Sequence, residues 1–193
     1  MRIEVRSDCV LIDGYVNAVG RESKPIITPD GKCVEIIEPG AFKKGLERAE
    51  DVLLLLNHEK GKSYASQKSG TLKLCEDNIG LRASCTITDP EIIRKARNKE
   101  LQGWSFGMYA NSVHMEERAD GLPRRHITDL DIFEVSLIDM RKSPCYAGTS
   151  VECRSDALYA ETRASEFSDS EYIVPQPNYS EYEKRLKILE EAT

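Results

Sequence analysis

The hydrophobic positions of this chain fall mostly in short runs of period two, the spacing of half-buried strands. Residues 10–19 and 34–37 are β-rich runs, and residues 52–56 form the longest apolar stretch, a buried-strand candidate that stops at Asn57-His58. The clearest hairpin sets Leu72 and Leu74 against the alternating Leu81, Ala83, Cys85 and Ile87 across a polar turn at residues 76–80. Beyond Gly103 the alternation returns: Trp104, Phe106, Met108 and Ala110 take one face, while Ser105, Gly107 and Tyr109 take the other. A last strand-like stretch covers residues 127–138, with Glu134 and Ser136 on the face opposite Phe133, Val135 and Leu137.

Helix signals are fewer. Pro39-Gly40 is a turn ahead of residues 41–49, enough for about two helical turns. Asp89-Pro90-Glu91 opens a second helix, because Asp can cap, Pro suits the first helical position and Glu favours the positive end of the dipole; that helix is predicted to run to Leu101. No repeat of a solenoid or propeller is visible. The pattern changes after Arg154, where Ser-, Asp- and Glu-rich sequence takes over and Tyr182, Leu186 and Leu189 fall at helical spacing within residues 180–192. The prediction is an α+β, β-rich domain over residues 1–154 with two or three helices. An acidic, largely flexible tail over residues 155–193 follows, ending in a short amphipathic helix.

At 193 residues, 40% hydrophobic and 31% charged, the chain has room for one packed domain and is too apolar for wholesale disorder. The net charge of -6 is unevenly placed: residues 1–154 hold 24 acids and 23 bases, whereas residues 155–193 hold nine acids and four bases. Neither part suits a protein that neutralises nucleic-acid phosphates or docks on an anionic membrane, which leaves peptides, proteins and small molecules as partners. The apolar run at 52–56 is far too short to span a bilayer, and the charged first ten residues lack the features of a secretory signal, so action in a cytoplasm is expected. Six cysteines without a C-x-x-C pair, with only three histidines, do not compose a zinc site. Reduced thiols, and no metal or cofactor, are expected.

Three side chains stand out. Gly103-Trp104-Ser105-Phe106-Gly107 matches G-x-S-x-G, but an α/β-hydrolase elbow needs a strand before the serine and a helix after it, and here the order is reversed. Ser105 by this motif alone is a strand serine between core aromatics. His58 ends an apolar strand, where an imidazole can accept a proton from a serine or simply sit in a solvated turn. Glu134, within the apolar Ile132-Phe133-Glu134-Val135-Ser136-Leu137-Ile138, must be paired, either with a base in a salt bridge or with a histidine that it orients. Ser136 is a competing nucleophile whose apolar neighbours favour a packing role. His114 reads as a surface residue, and His126 as structural or as a partner of another imidazole.

Six segments taken in order resemble the prohead maturation proteases of tailed phages. They are residues 36–42 (Ile-Ile-Glu-Pro-Gly-Ala-Phe), 53–58 (Leu-Leu-Leu-Leu-Asn-His), 69–74, 79–81, 103–107, and 133–138 with Ser143-Pro144-Cys145-Tyr146. The resemblance covers about residues 10–154. It implies a domain like the herpesvirus assembly proteases, a mostly antiparallel β-barrel ringed by helices, and serine endoproteolysis of scaffold and major capsid proteins inside the procapsid. By position it puts the nucleophile on Ser105, the general base on His58 and the orienting group on Glu134, with His126 or Asp131 as fallbacks for the third place. The chain departs from the family pattern at Glu59, at residues 63–66 and at Pro144-Cys145, which bear on the substrate cleft. The Arg141-Lys142 loop is a possible source of oxyanion donors.

The resemblance further implies cleavage of the chain by itself, self-association in the procapsid, and action within a host cytoplasm, with no cofactor, nucleic acid or membrane. Another class of function fits the same residues: a capsid-assembly or scaffold-binding protein of the same fold without catalysis.

Overall fold

The computed structural model describes residues 1–28, 31–119, 121–144, 161–162 and 164–166. The chain begins with β1 (Arg2–Val5), β2 (Val10–Ala18), β3 (Ile26–Thr28), β4 (Gly31–Ile37), α1 (Ala41–Arg48), β5 (Leu53–Leu56) and β6 (Ala65–Ser66). It continues with β7 (Leu72–Glu76), β8 (Gly80–Ile87), α2 (Pro90–Arg97), β9 (Leu101–Glu116), β10 (Arg124–Asp139), β11 (Lys142–Pro144), β12 (Glu161–Thr162) and β13 (Ala164–Glu166). The β-rich reading and its two helix starts correspond to these elements. The predicted terminal helix, and all of the tail apart from β12 and β13, lies outside the described residues.

Period-two sequence builds two main sheets. The first is antiparallel, in the order β1-β2-β8-β7, with the predicted hairpin pairing Leu72 to Cys85 and Leu74 to Ala83. The second runs β12-β9-β10-β4-β3, and β5 also pairs with β10. Both β4 and β5 lie parallel to β10, on different stretches of it, so this sheet is mixed. Among the described residues the pairings do not close the strands into a ring, and the implied barrel is not seen.

Trp104, Phe106 and Met108 point between the sheets and are buried together with Ile12, Leu54, Leu81 and Val135, as the alternation predicts. Phe42 of α1 meets Phe106 edge-on, with centroids 5.2 Å apart. Helix α1 lies close to β10 because residue 45 has no side chain: a Cβ there would stand 2.6 Å from the Leu130 carbonyl oxygen. Arg48, in the last turn of α1, fastens the contact by ion pairs to Asp129 and Asp131 and a hydrogen bond to the Leu130 carbonyl. Helix α2 starts as predicted, with Asp89 Oδ1 accepting from the Glu91 N–H, but it ends at Arg97 rather than Leu101. Lys99 takes a left-handed backbone (φ 58°), which turns the chain, and Leu101 is already the first residue of β9.

Candidate active site

Strand β10 is the spine of the site. It pairs antiparallel with β9, so that Ser136 stands opposite Ser105 and Glu134 opposite Gly107. These four positions share one face of the sheet, turned away from the Trp104–Phe106–Met108 stripe. On the other edge of β10 the parallel strand β5 brings Leu56 beside Leu137, and the chain then leaves the sheet at Asn57 and His58. Both residues adopt left-handed backbone, with φ 52° and 63°. Two consecutive non-glycine residues in that region cost conformational energy, which the surrounding contacts must offset. That turn swings the imidazole back over the Ser105–Glu134 face.

The fixing contacts are specific. Asn57 N–H donates to the Leu137 carbonyl at 2.9 Å, its Oδ1 accepts from Asp139 N–H at 3.1 Å, and its carbonyl accepts from Lys142 Nζ at 3.1 Å. Asp139 is itself held by Lys95 Nζ of α2 at 2.8 Å and by the Arg141 N–H at 2.9 Å. Burial pushes the Asp139 carboxyl up, but the hydrogen bonds from Lys95 and the Arg141 backbone lead the interactions that outweigh it and leave the carboxyl at about 2. A charged carboxylate thus anchors the end of β10 beside the turn that carries His58. Arg141 turns its guanidinium to Glu59 and Asp139.

In this setting Ser105 Oγ lies 2.6 Å from His58 Nε2, and His58 Nδ1 lies 2.5 Å from Glu134 Oε1. The protons can be assigned from the partners. An ionised carboxylate only accepts, so Nδ1 carries the hydrogen and donates to Glu134, which leaves Nε2 free to accept from the serine hydroxyl. Ser136 completes the set: its hydroxyl donates to Glu134 Oε2 at 2.7 Å and accepts from the His58 N–H at 3.1 Å. Both oxygens of Glu134 are therefore bonded, which answers how a carboxylate sits in so apolar a strand. Ser105 and Ser136 are fully buried, and the side chains of His58 and Glu134 are 8% and 3% exposed.

A one-residue bulge aims the carboxylate. Ile132 pairs with Met108 and Glu134 with Gly107, so Phe133 is an extra residue on β10. Strict alternation predicts Phe133 on the face of Val135 and Leu137. Instead its ring meets Tyr109, 5.0 Å away, on the Ser105–Gly107 side. Gly107 makes room for the arrangement: a Cβ there would lie 2.5 Å from Glu134 Oε1 and 2.6 Å from the Phe133 ring. The second glycine of G-x-S-x-G thus has a local reason unrelated to a nucleophile elbow.

The two fallback residues lie elsewhere. Asp131 is engaged by Arg48, and His126 Nδ1 and Nε2 are bonded to Glu38 at 2.7 Å and Glu116 at 3.0 Å. His114 is exposed on β9, with its ring 6.2 Å from that of His126. The bridging role of Ser136 goes beyond the packing role read from its neighbours; its place two residues from Glu134 on one strand face was the available signal. The positions of Lys95, Asp139 and Asn57 had none, because they meet only in the folded chain. Among the described residues no cluster of three or more His, Cys, Asp or Glu side chains is arranged to hold a metal ion, and no helix is long and apolar enough to cross a membrane.

A serine hydroxyl, an imidazole and a carboxylate hydrogen-bonded in series can move a proton off the hydroxyl as it attacks a carbonyl. Comparison with known proteins agrees with that chemistry. No curated protein and no solved structure matches the chain. The family of caudovirus prohead serine proteases matches residues 1–163, well over half of the sequence, and the chain belongs to that family.

Proposed function

We propose that this protein is a serine endopeptidase that cleaves scaffold and major capsid proteins, and its own chain, during procapsid maturation inside the host cytoplasm. The observation that carries this reading is the serial hydrogen bonding of Ser105, His58 and Glu134, at 2.6 and 2.5 Å. Ser105 Oγ attacks the scissile carbonyl carbon while its proton passes to His58 Nε2. When the C–N bond breaks, His58 returns that proton to the leaving amine, and an acyl-enzyme remains. Water then attacks the ester through the same base, which frees the new carboxylate and restores the serine. Glu134 keeps the imidazole in the required tautomer and stabilises the imidazolium between steps. Residues 1–154 carry this chemistry, and residues 155–193 form the separable acidic end. Confinement with substrate inside a shell raises the effective concentration, so a modest catalyst suffices.

The test is co-expression with a scaffold protein and reaction with a fluorophosphonate probe. The parent is expected to process the scaffold and to be labelled at Ser105, whereas Ser105→Ala and His58→Ala each lose processing by on the order of 10³-fold or more. Equal processing by both variants overturns the assignment and favours a capsid-assembly protein without catalysis.

A further inference from the structure

Strand β9 is long, and its edge away from β10 has an occupant at one place. Glu161 and Thr162 of β12 pair antiparallel with Met108 and Gly107, two to three residues from Ser105. The next described residues, Ala164–Glu166 of β13, pair antiparallel with Lys142–Pro144 of β11. Strand β11 in turn lies against β9. One stretch of the chain's own sequence therefore follows β9 toward the serine and then follows β11. With this segment in place, Ser105 is fully buried and the His58 side chain is 8% exposed. A nucleophile that must meet the carbonyl of another polypeptide cannot act from such a position until something moves.

We infer that the edge of β9 at Gly107–Met108, together with β11, is an acceptor for an extended peptide main chain, and that residues 161–162 and 164–166 occupy it as an intramolecular competitor of substrate. The inference rests on the protease reading above and adds to it how substrate is held and how the chain's own segment restrains the site. Strand addition to a sheet edge draws its affinity from main-chain hydrogen bonds, so one extended segment can replace another. Residues 161–166 read Glu-Thr-Arg-Ala-Ser-Glu, with no large apolar residue. Being on the same chain, this segment competes at an effective concentration of millimolar order. A scaffold packed at high density inside a shell can displace it, whereas dilute protein outside cannot.

The test uses the full chain carrying Thr162→Pro and Ser165→Pro together, since proline removes the N–H groups that a ladder needs. If the segment leaves the edge free about one-tenth of the time, the double variant is labelled at Ser105 by a fluorophosphonate about tenfold faster than the parent. Hydrogen exchange at the Gly107 and Met108 amides rises as well, while the melting temperature stays with the parent. A synthetic peptide of residues 159–168 added to the double variant slows labelling back toward the parental rate. Equal labelling rates in parent and variant, or unchanged exchange at Gly107 and Met108, overturn the inference and leave the protease reading standing. Absence of labelling in both proteins overturns the protease reading and the inference with it.

Discussion

Strand β10 presents two histidine sites, and the difference between them lies in the second partner of each ring. His58 lies between a carboxylate, Glu134, and a hydroxyl, Ser105. His126 lies between two carboxylates, Glu38 and Glu116. The Glu38 hydrogen bond, acting against partial burial and aided by Glu116, raises the His126 imidazole above its ordinary value of 6.5. A ring held by two acceptors favours the doubly protonated form, and it joins a surface network that also includes Arg124 and Glu22. A ring held by one acceptor and one donor can take a proton and give it back. Burial separates them further, because the Ser105 site is closed to water while the His126 ring is 22% exposed.

The comparison breaks most completely if Glu134 is made unable to hold the His58 tautomer. Glu134→Gln keeps the shape but can turn an amide N–H toward Nδ1, forcing the proton onto Nε2, where it can no longer accept from Ser105. The expected outcome is a loss of kcat on the order of 10³- to 10⁴-fold with a modest change in KM, read on a peptide substrate. An activity within tenfold of the parent would show that the carboxylate is only a structural partner.

Gly107→Ala tests the same contact from the opposite strand. The new Cβ would sit 2.5 Å from Glu134 Oε1 and 2.6 Å from the Phe133 ring, both part of a packed face. The carboxylate must move off His58 or the bulge must open, so kcat/KM is expected to fall by about 100-fold, along with about 1–3 kcal/mol of stability. Chemical denaturation separates the two effects. Wild-type activity in a folded variant would mean that the fit around Gly107 does not govern the carboxylate.

How much of this was legible in the sequence follows the range of the contacts. The Trp104–Phe106–Met108 stripe and the 72–87 hairpin were readable because alternation is a local property, and so was the start of α2 at Asp89-Pro90. The end of α2 is not legible, because the break comes from a left-handed residue, Lys99, that composition does not mark. Alternation alone gives Phe133 the wrong face, because a bulge is set by pairing with β9, which one strand's sequence cannot show. Ser105, His58 and Glu134 stand out mainly through the order of six family-like segments. The residues themselves left each open to a bland alternative, since 47 positions separate the serine from the histidine and 76 separate the histidine from the glutamate.

Ser136 gives a finer contrast, since its hydroxyl touches Glu134 and the His58 backbone but not the reacting atoms. It is a positioning residue. Ser136→Ala removes one hydrogen bond to a charged acceptor and leaves the His58 N–H without its partner. The expected loss is about 10- to 100-fold in kcat with KM unchanged, smaller than for Glu134→Gln. If KM rises while kcat stays, the hydroxyl is shaping the cleft rather than the hydrogen-bonded series.

The smallest effect is expected at the other histidine, and it should appear in stability rather than rate. The folded-state value of His126 lies above its unfolded value, so its ion pairs stabilise the fold fully below the unfolded value of about 6.5 and lose that contribution as pH rises through the raised folded value. His126→Gln should therefore melt below the parent at about pH 5.5, and the gap should close at about pH 9. The ring is partly exposed and screened, so the gap is expected to be only a few degrees and to shrink in high salt. Peptidase activity at a pH where both proteins are folded should be unchanged. A gap that widens toward high pH would mean that the ring is held neutral, and a loss of activity would mean that the two histidine sites are coupled along β10.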